Sequence, residues 1–232
     1  MDTNTARQHI AFALDVPELN SAEKLVKTLS PYVGYLKIGL ELYLSHGPRV
    51  VEWARTNAPE CRIFLDLKLH DVPETVRRAA RAVSSLGADL LTVHACDGEE
   101  IIQAAVEGAP HTKVVAITVL TSLPREDSTA ALVLARAESA KRAGAAGVVC
   151  SGEEVVALRA RLGAGFRLIT PGIRPVGTAL GDQKRVATPR DALQAGADLL
   201  VIGRPLRDAP DPAQAARTLL EEVAAAQQDI AP

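Results

Sequence analysis

Short apolar runs recur along the chain, each closing in a polar or glycine-containing turn and followed by an alanine-rich segment with helical periodicity. The pattern predicts eight strands: His9–Val16, Tyr35–Gly39, Arg62–Leu69, Leu90–Ala95, Lys113–Leu120, Gly147–Cys150, Arg167–Gly172 and Leu199–Gly203. It predicts helices near Ser21–Leu29, Pro48–Asn57, Pro73–Leu86, Glu99–Glu107, Ser128–Ala143, Glu153–Leu162, Pro189–Ala195 and Pro212–Gln227. Three helices run into a Gly-Ala pair before the next strand, at Gly87-Ala88, Gly144-Ala145 and Gly196-Ala197. Glycine there suits the left-handed position just past a helix end. Continuous apolar strands alternating with helices imply a parallel sheet covered by helices. Eight such units favour closure into a (β/α)8 barrel of the TIM type.

No Ser/Gly- or Pro-rich tract divides the chain, so residues 1–232 are expected to form one barrel domain. The longest irregular piece, Ile173–Thr188, is read as a lid, because structureless connections of this length are usually functional. A net charge of −2 and the absence of a Lys/Arg-rich run leave no basic field for nucleic acid. The start of the chain is polar, and no apolar run approaches the ~18 residues that span a bilayer. A cytoplasmic protein without membrane partners is expected. Cys61, Cys96 and Cys150 are widely spaced and odd in number, and the five histidines show no HExxH frame, so no metal site is indicated.

The segment Asp66-Leu67-Lys68-Leu69-His70-Asp71 places two acids and a lysine where an apolar strand is ending. Residues two apart in a strand share a face, so Asp66 and Lys68 point with Phe64, while Leu67 and Leu69 point to the helix layer. Burying such charges costs several kcal/mol per ion, so a fold keeps them only through strong pairing or for a function. In a barrel the active site lies at the carboxyl ends of the strands, where Asp15 and Lys37 also stand. Asp15, before Val16-Pro17, could simply start a turn, and Lys37 alone could lie on an exposed strand edge. Asp71-Val72-Pro73-Glu74 has the form of a helix N-cap. Taken jointly, the charges at adjacent strand ends converge on one region.

A second constellation follows the last two predicted strands: Thr170-Pro171-Gly172-Ile173-Arg174 and Ile202-Gly203-Arg204-Pro205. Barrels often bind phosphate with these two loops. Gly172 and Gly203 allow close backbone approach, and Arg174 and Arg204 add fork-shaped donors suited to phosphate. Turn glycines with surface arginines are the plainer alternative; a phosphorylated small molecule fits better.

Together these motifs resemble the orotidine 5′-phosphate decarboxylase family. The likeness is carried by Leu14-Asp15-Val16-Pro17, Leu36-Lys37-Ile38-Gly39, the segment from Phe64 to Val76, Thr118-Val119-Leu120-Thr121-Ser122, Thr170-Pro171-Gly172-Ile173-Arg174, Asp182-Gln183 and Ile202-Gly203-Arg204. It runs from the first predicted strand to the eighth. The resemblance implies a homodimeric barrel that converts orotidine 5′-phosphate to UMP and CO2, the last step of pyrimidine nucleotide synthesis, without metal or organic cofactor. Lys37, Asp66, Lys68 and Asp71 would match the family's charged array, with Asp71 given by the partner subunit, so that each dimer shares its active sites. Asp15 and Lys37 would hold the ribose hydroxyls, with Thr75 of the partner chain helping, and Thr121 would bond the pyrimidine's amide edge. Arg204, Gln183 and the backbone around Pro171, Gly172 and Gly203 would hold the phosphate, with Arg174 beside them. His70 is given no catalytic role.

The residue chemistry is consistent with that reaction. Loss of CO2 from C6 of the pyrimidine leaves a poorly delocalised carbanion, which calls for localised positive charge and a proton. Lys68 can supply both, and Asp66 and Asp71 place opposite charge beside its ammonium. The nearest rival is a magnesium-dependent enzyme of the same superfamily acting on a keto-sugar phosphate, which carries a glutamate where this chain has Lys37. A non-catalytic nucleotide-binding protein is the other, and it would not require the Asp66-x-Lys68 pair.

Overall fold

The computed structural model describes residues 3–121, 126, 128–175 and 187–230. Eight parallel strands, β1 (Ile10–Ala13), β2 (Tyr35–Gly39), β3 (Arg62–Leu69), β4 (Leu90–His94), β5 (Lys113–Ile117), β6 (Gly147–Val149), β7 (Arg167–Thr170) and β8 (Leu199–Ile202), pair in chain order. β8 returns to β1, closing the barrel and leaving no edge strand. The expected (β/α)8 class is the one observed.

Strand alternation sorts the side chains into two cores. Inside the barrel, Ala11, Ala13, Tyr35, Phe64, Leu90, Val115, Ile169, Leu199 and Val201 pack together. The small alanines of β1 make room for Phe64 and Tyr35 across the lumen, so the interior is filled rather than open. The intervening residues, such as Phe12, Leu36, Ile63, Leu65 and Leu91, pack outward against the helices. In register, Ala13 stands beside Lys37 and Lys37 beside Phe64, while Gly39 stands beside Asp66. Lys37 therefore enters the lumen one layer above Tyr35, and Asp66 one layer above Phe64.

Glycines 87, 144 and 196 have φ of +78°, +84° and +105°, the left-handed geometry expected just past helices. Each lets the chain reverse into a strand while the following alanine is buried. Several strands end sooner than the apolar pattern suggested: β1 stops at Ala13, β5 at Ile117 and β7 at Thr170. The residues beyond them, including Asp15, Leu120 and Pro171, leave the ladder and turn over the barrel mouth, and Pro171 has no N–H to give to a ladder. A helix absent from the apolar pattern, Leu40–His46, follows β2 directly. Leu40 and Leu44 are 46% and 76% exposed and of its leucines only Leu42 is buried, so they do not form the buried stripe by which a helix is recognised.

Candidate active site

At the carboxyl ends of the strands lies a cavity of about 430 Å³, lined by Asp15, Lys37, Asp66, Lys68, Thr121, Pro171, Gly172, Arg174, Gly203 and Arg204 among others. Ten of the residues singled out in the sequence thus meet in one place. Phe64, Ile117, Val149, Ile169 and Val201 form its apolar floor.

The charged groups form an alternating chain. Lys37 Nζ lies 3.2 Å from Asp15 Oδ1 and 3.3 Å from Asp66 Oδ2, and Lys68 Nζ lies 2.8 Å from that same Asp66 oxygen. Lys37 is buried, at 8% exposure, which rules out the exposed strand-edge alternative. Burial pushes its ammonium down, but the carboxylates of Asp66 and Asp15 outweigh burial and hold it above the ordinary 10.5. For Asp66 burial pushes the carboxyl up, and the ammonium groups of Lys37 and Lys68, with the Thr92 hydroxyl, overcome it and hold it below 3.8. Each charge is tolerable only because its neighbour is present.

These directions fix a pH dependence. A depressed native Asp66 contributes stability above its unfolded value, and that contribution is lost as the pH falls through the lower native value. The raised Lys37 does the reverse, contributing below 10.5 and losing its contribution as the pH rises through its higher native value. Asp66→Asn is therefore expected to flatten the fall in unfolding free energy below about pH 4, measured by urea titration at a series of pH values. An acid limb as steep as the parent's would mean that Asp66 is not coupled to the two lysines.

Lys68 reaches this array by a route simple alternation does not supply. From Leu65 to Leu69, β3 advances four residues while its partner β4 advances only from Leu91 to Val93. The extra length bulges out, and Lys68 takes φ +50°, the only non-glycine residue with positive φ among those described. Such a conformation costs about 1–3 kcal/mol and persists only when its surroundings fix it. Thr92 on β4 does so: its hydroxyl accepts the Lys68 N–H at 2.8 Å and donates to Asp66 Oδ1 at 3.0 Å. Asp66 and Lys68 do share the lumen, as expected, but a bulge rather than a regular strand brings Lys68 there. Leu67 and Leu69 pack against the outer core, as expected.

Asp71 does not cap the next helix. The N-cap position of Pro73–Ser85 is Val72, which offers no side-chain cap, and Asp71 Oδ1 accepts the adjacent Val72 N–H at 2.6 Å. An aspartate one position too early cannot reach the N–H groups of the first turn, so the capping expectation is corrected. Asp71 and Thr75 are exposed and do not line the cavity of their own chain. Gln183 and most of the expected lid, residues 176–186, fall outside the described residues. The two ends of that connection meet in a bridge between Ile173 and Ala187.

On the opposite wall, Gly172 has φ +76°, so a side chain there would be strained. Gly203 packs against β1: a Cβ on it would stand 3.3 Å from the Ala13 Cβ and 3.8 Å from Asp15 Oδ2. Arg204 opens the short helix Arg204–Arg207 directly after Gly203. Arg174, 8% exposed, is held by its Nη1 on the Ile173 carbonyl at 2.9 Å.

Two contributors escaped the sequence reading. Thr92 signals itself only as a hydroxyl inside the apolar run Leu90-Leu91-Thr92-Val93. Arg207 also lines the cavity, donating to the Asp15 carbonyl at 2.7 Å and gripping Asp208 with two nitrogens at 2.6 and 2.9 Å. It stands three residues past Arg204, close to one helical turn on.

The chain has close relatives. Residues 8–219 match the family described as orotidine 5′-phosphate decarboxylase / HUMPS. A relative named orotidine 5′-phosphate decarboxylase from Thermobifida fusca (strain YX) is 50% identical over 226 residues, 92% of this chain and 95% of its own. One of the same name from Anaeromyxobacter sp. (strain K) is 51% identical over 222 residues, 91% and 96% of the two chains. The crystal structure of orotidine 5′-phosphate decarboxylase from Lactobacillus acidophilus superposes with a TM-score of 0.81 at 34% identity, covering 93% of this chain and 99% of that one. With the barrel, the alternating charges at its mouth and the match over most of its length, this chain belongs to the orotidine 5′-phosphate decarboxylase / HUMPS family.

Proposed function

We propose that the chain decarboxylates orotidine 5′-phosphate to UMP and CO2, with Lys68 as the proton donor and with neither metal nor organic cofactor. The observation that carries this reading is Lys37, set between Asp15 and Asp66 at 3.2 and 3.3 Å. A site built to hold a divalent ion against Asp66 needs further oxygen ligands there. This chain puts an ammonium there instead, and a second, Lys68, on the same Asp66 oxygen. The keto-sugar phosphate alternative thus loses its metal-binding face.

In the proposed reaction the C6–carboxylate bond breaks, CO2 departs and the electron pair stays on C6. A proton passes from Lys68 Nζ to C6, and Lys68 regains a proton from solvent. The ammonium stabilises charge at the atom where it develops, and it is fixed in advance by Asp66 and the Thr92-pinned bulge. The apolar floor of the same cavity lowers the local dielectric, which strengthens that interaction. Asp15 and Lys37 would hold the ribose hydroxyls, Thr121 the pyrimidine edge, and Arg204, Arg174, Gln183 and the backbone at Pro171, Gly172 and Gly203 the phosphate.

Asp71 and Thr75 complete the array from a second copy of the chain in this reading. Their exposure off their own cavity supports it, as does Val72 between them, an apolar side chain 62% exposed. Shared sites have a sharp consequence in mixed dimers. Lys68→Ala and Asp71→Ala proteins are each expected to be strongly impaired. A hybrid dimer of the two has one site lacking both groups and one site lacking neither. If equal amounts are dissociated and reassociated, statistical pairing should restore about a quarter of the parent activity. Recovery no greater than the two variants give separately would place Asp71 in its own chain's site or outside the chemistry.

A further inference from the structure

We propose that Arg207 is a positioning residue that holds Asp15 at the ribose subsite and ties it to the turn carrying Arg204; this rests on the reading that Asp15 meets the ribose hydroxyls and Arg204 the phosphate. Arg207 ends the one-turn helix Arg204–Arg207 at the cavity wall. Its Nη1 donates to the Asp15 carbonyl at 2.7 Å, while Nε and Nη2 donate to the two carboxylate oxygens of Asp208 at 2.6 and 2.9 Å. That two-point grip fixes the plane of the guanidinium, so the remaining nitrogen is aimed at one place. Arg207 in turn holds the Asp208 carboxyl below its ordinary 3.8, so the pair stays ionised at neutral pH.

Asp15 needs such a tether because it stands past the end of its strand. β1 ends at Ala13, and the Leu14 N–H still meets the Lys37 carbonyl at 2.9 Å, but the chain then leaves the ladder. Arg207 takes the Asp15 carbonyl, and two residues on, His46 Nε2 meets the Pro17 carbonyl at 2.8 Å. The Asp15 side chain is half-exposed, so its ion pair with Lys37 at 3.2 Å is by itself a weak restraint. Its slot is also narrow: a Cβ on Gly39 would stand 3.1 Å from Oδ1, and one on Gly203 3.8 Å from Oδ2. A small shift of the Asp15 backbone would carry the carboxylate out from between these glycines and away from Lys37. The same turn fixes Arg204. The Arg207 N–H bonds the Gly203 carbonyl at 3.0 Å, and the Asp208 N–H bonds the Arg204 carbonyl at 2.9 Å. Arg204, Arg207 and Asp208 therefore form one unit, to which the Asp15 carbonyl is fastened. These contacts join β8 to β1 within one chain, with β8 across the ring from β4, and they require no exposed surface.

The test compares UMP with 2′,3′-dideoxy-UMP, which lacks the ribose hydroxyls, by calorimetric titration of the full chain. The parent should favour UMP. In Arg207→Ala the Kd of UMP should rise at least about fivefold, the scale of one lost hydrogen bond, while that of the dideoxy nucleotide stays within about twofold. A merely structural loss would weaken both ligands alike. Arg207→Met keeps the packing of the side-chain stem without its donors, and it carries the test if circular dichroism shows that Arg207→Ala does not fold. An equal fall in affinity for both nucleotides, or an unchanged UMP Kd in a folded variant, would overturn the proposal, as would a parent that binds the two alike or binds neither. UMP binding does not depend on turnover. A parent that shows the preference but does not decarboxylate would refute the proposed reaction and leave the role of Arg207 standing.

Discussion

Replacing Lys68 with alanine is expected to lower kcat by at least about 10⁴-fold while leaving UMP binding largely intact. The size follows from losing two functions at once. A positioned proton donor is typically worth about 10²–10⁴-fold, and a preorganised charge at the reacting atom about 10²–10³-fold more. Binding of the product should survive in the proposed pose, in which the phosphate is held by Gly172, Gly203 and Arg204 of the same cavity and not by Lys68. Asp66 keeps Lys37 at 3.3 Å, so its carboxylate is not left uncompensated. The checks are single-turnover kinetics with orotidine 5′-phosphate and calorimetric titration with UMP. Turnover within about tenfold of the parent would remove Lys68 from the chemical step.

Arg204→Ala is the second large effect, expected to lower kcat/KM by about 10²- to 10³-fold, the range for truncating one partner of a desolvated charged pair. In the proposed pose Arg204 meets the phosphate and not the breaking bond, so its contribution would come through binding. Energy gained at a remote phosphate can order the charged array and be expressed in the transition state. Orotidine, which lacks the phosphate, provides the control: its slow turnover should be nearly indifferent to the substitution. A variant within about threefold of the parent on orotidine 5′-phosphate would remove phosphate anchoring from this account.

The barrel was legible because its determinants are local and repeated. Apolar runs such as Ile63-Phe64-Leu65, turn glycines such as Gly87 and alanine-rich helices all point to the same layers. The ends of strands were less legible, since apolar residues such as Val119 and Leu120 continue past the last ladder bond and line the cavity instead. For the site, residue type and strand position located Asp15, Lys37, Asp66 and Lys68. They could not show that Lys68 arrives through a bulge, because a bulge depends on what the neighbouring strand offers. Here that is the hydroxyl of Thr92, 24 residues away. Arg207 was missed for the same reason: its partner, the Asp15 carbonyl, is 192 residues distant. The capping expectation for Asp71 failed by one position, a distance composition does not resolve. The hidden part of the site is thus the part made by contacts across strands.

The central claim is that this array decarboxylates orotidine 5′-phosphate without a metal. The direct measurement follows the loss of orotidine 5′-phosphate absorbance by the purified protein in excess EDTA, with UMP quantified at the end. The account predicts complete conversion to UMP at a rate that EDTA does not change. No decrease with folded, dimeric protein, or activity abolished by EDTA and restored by added Mg2+, would contradict it.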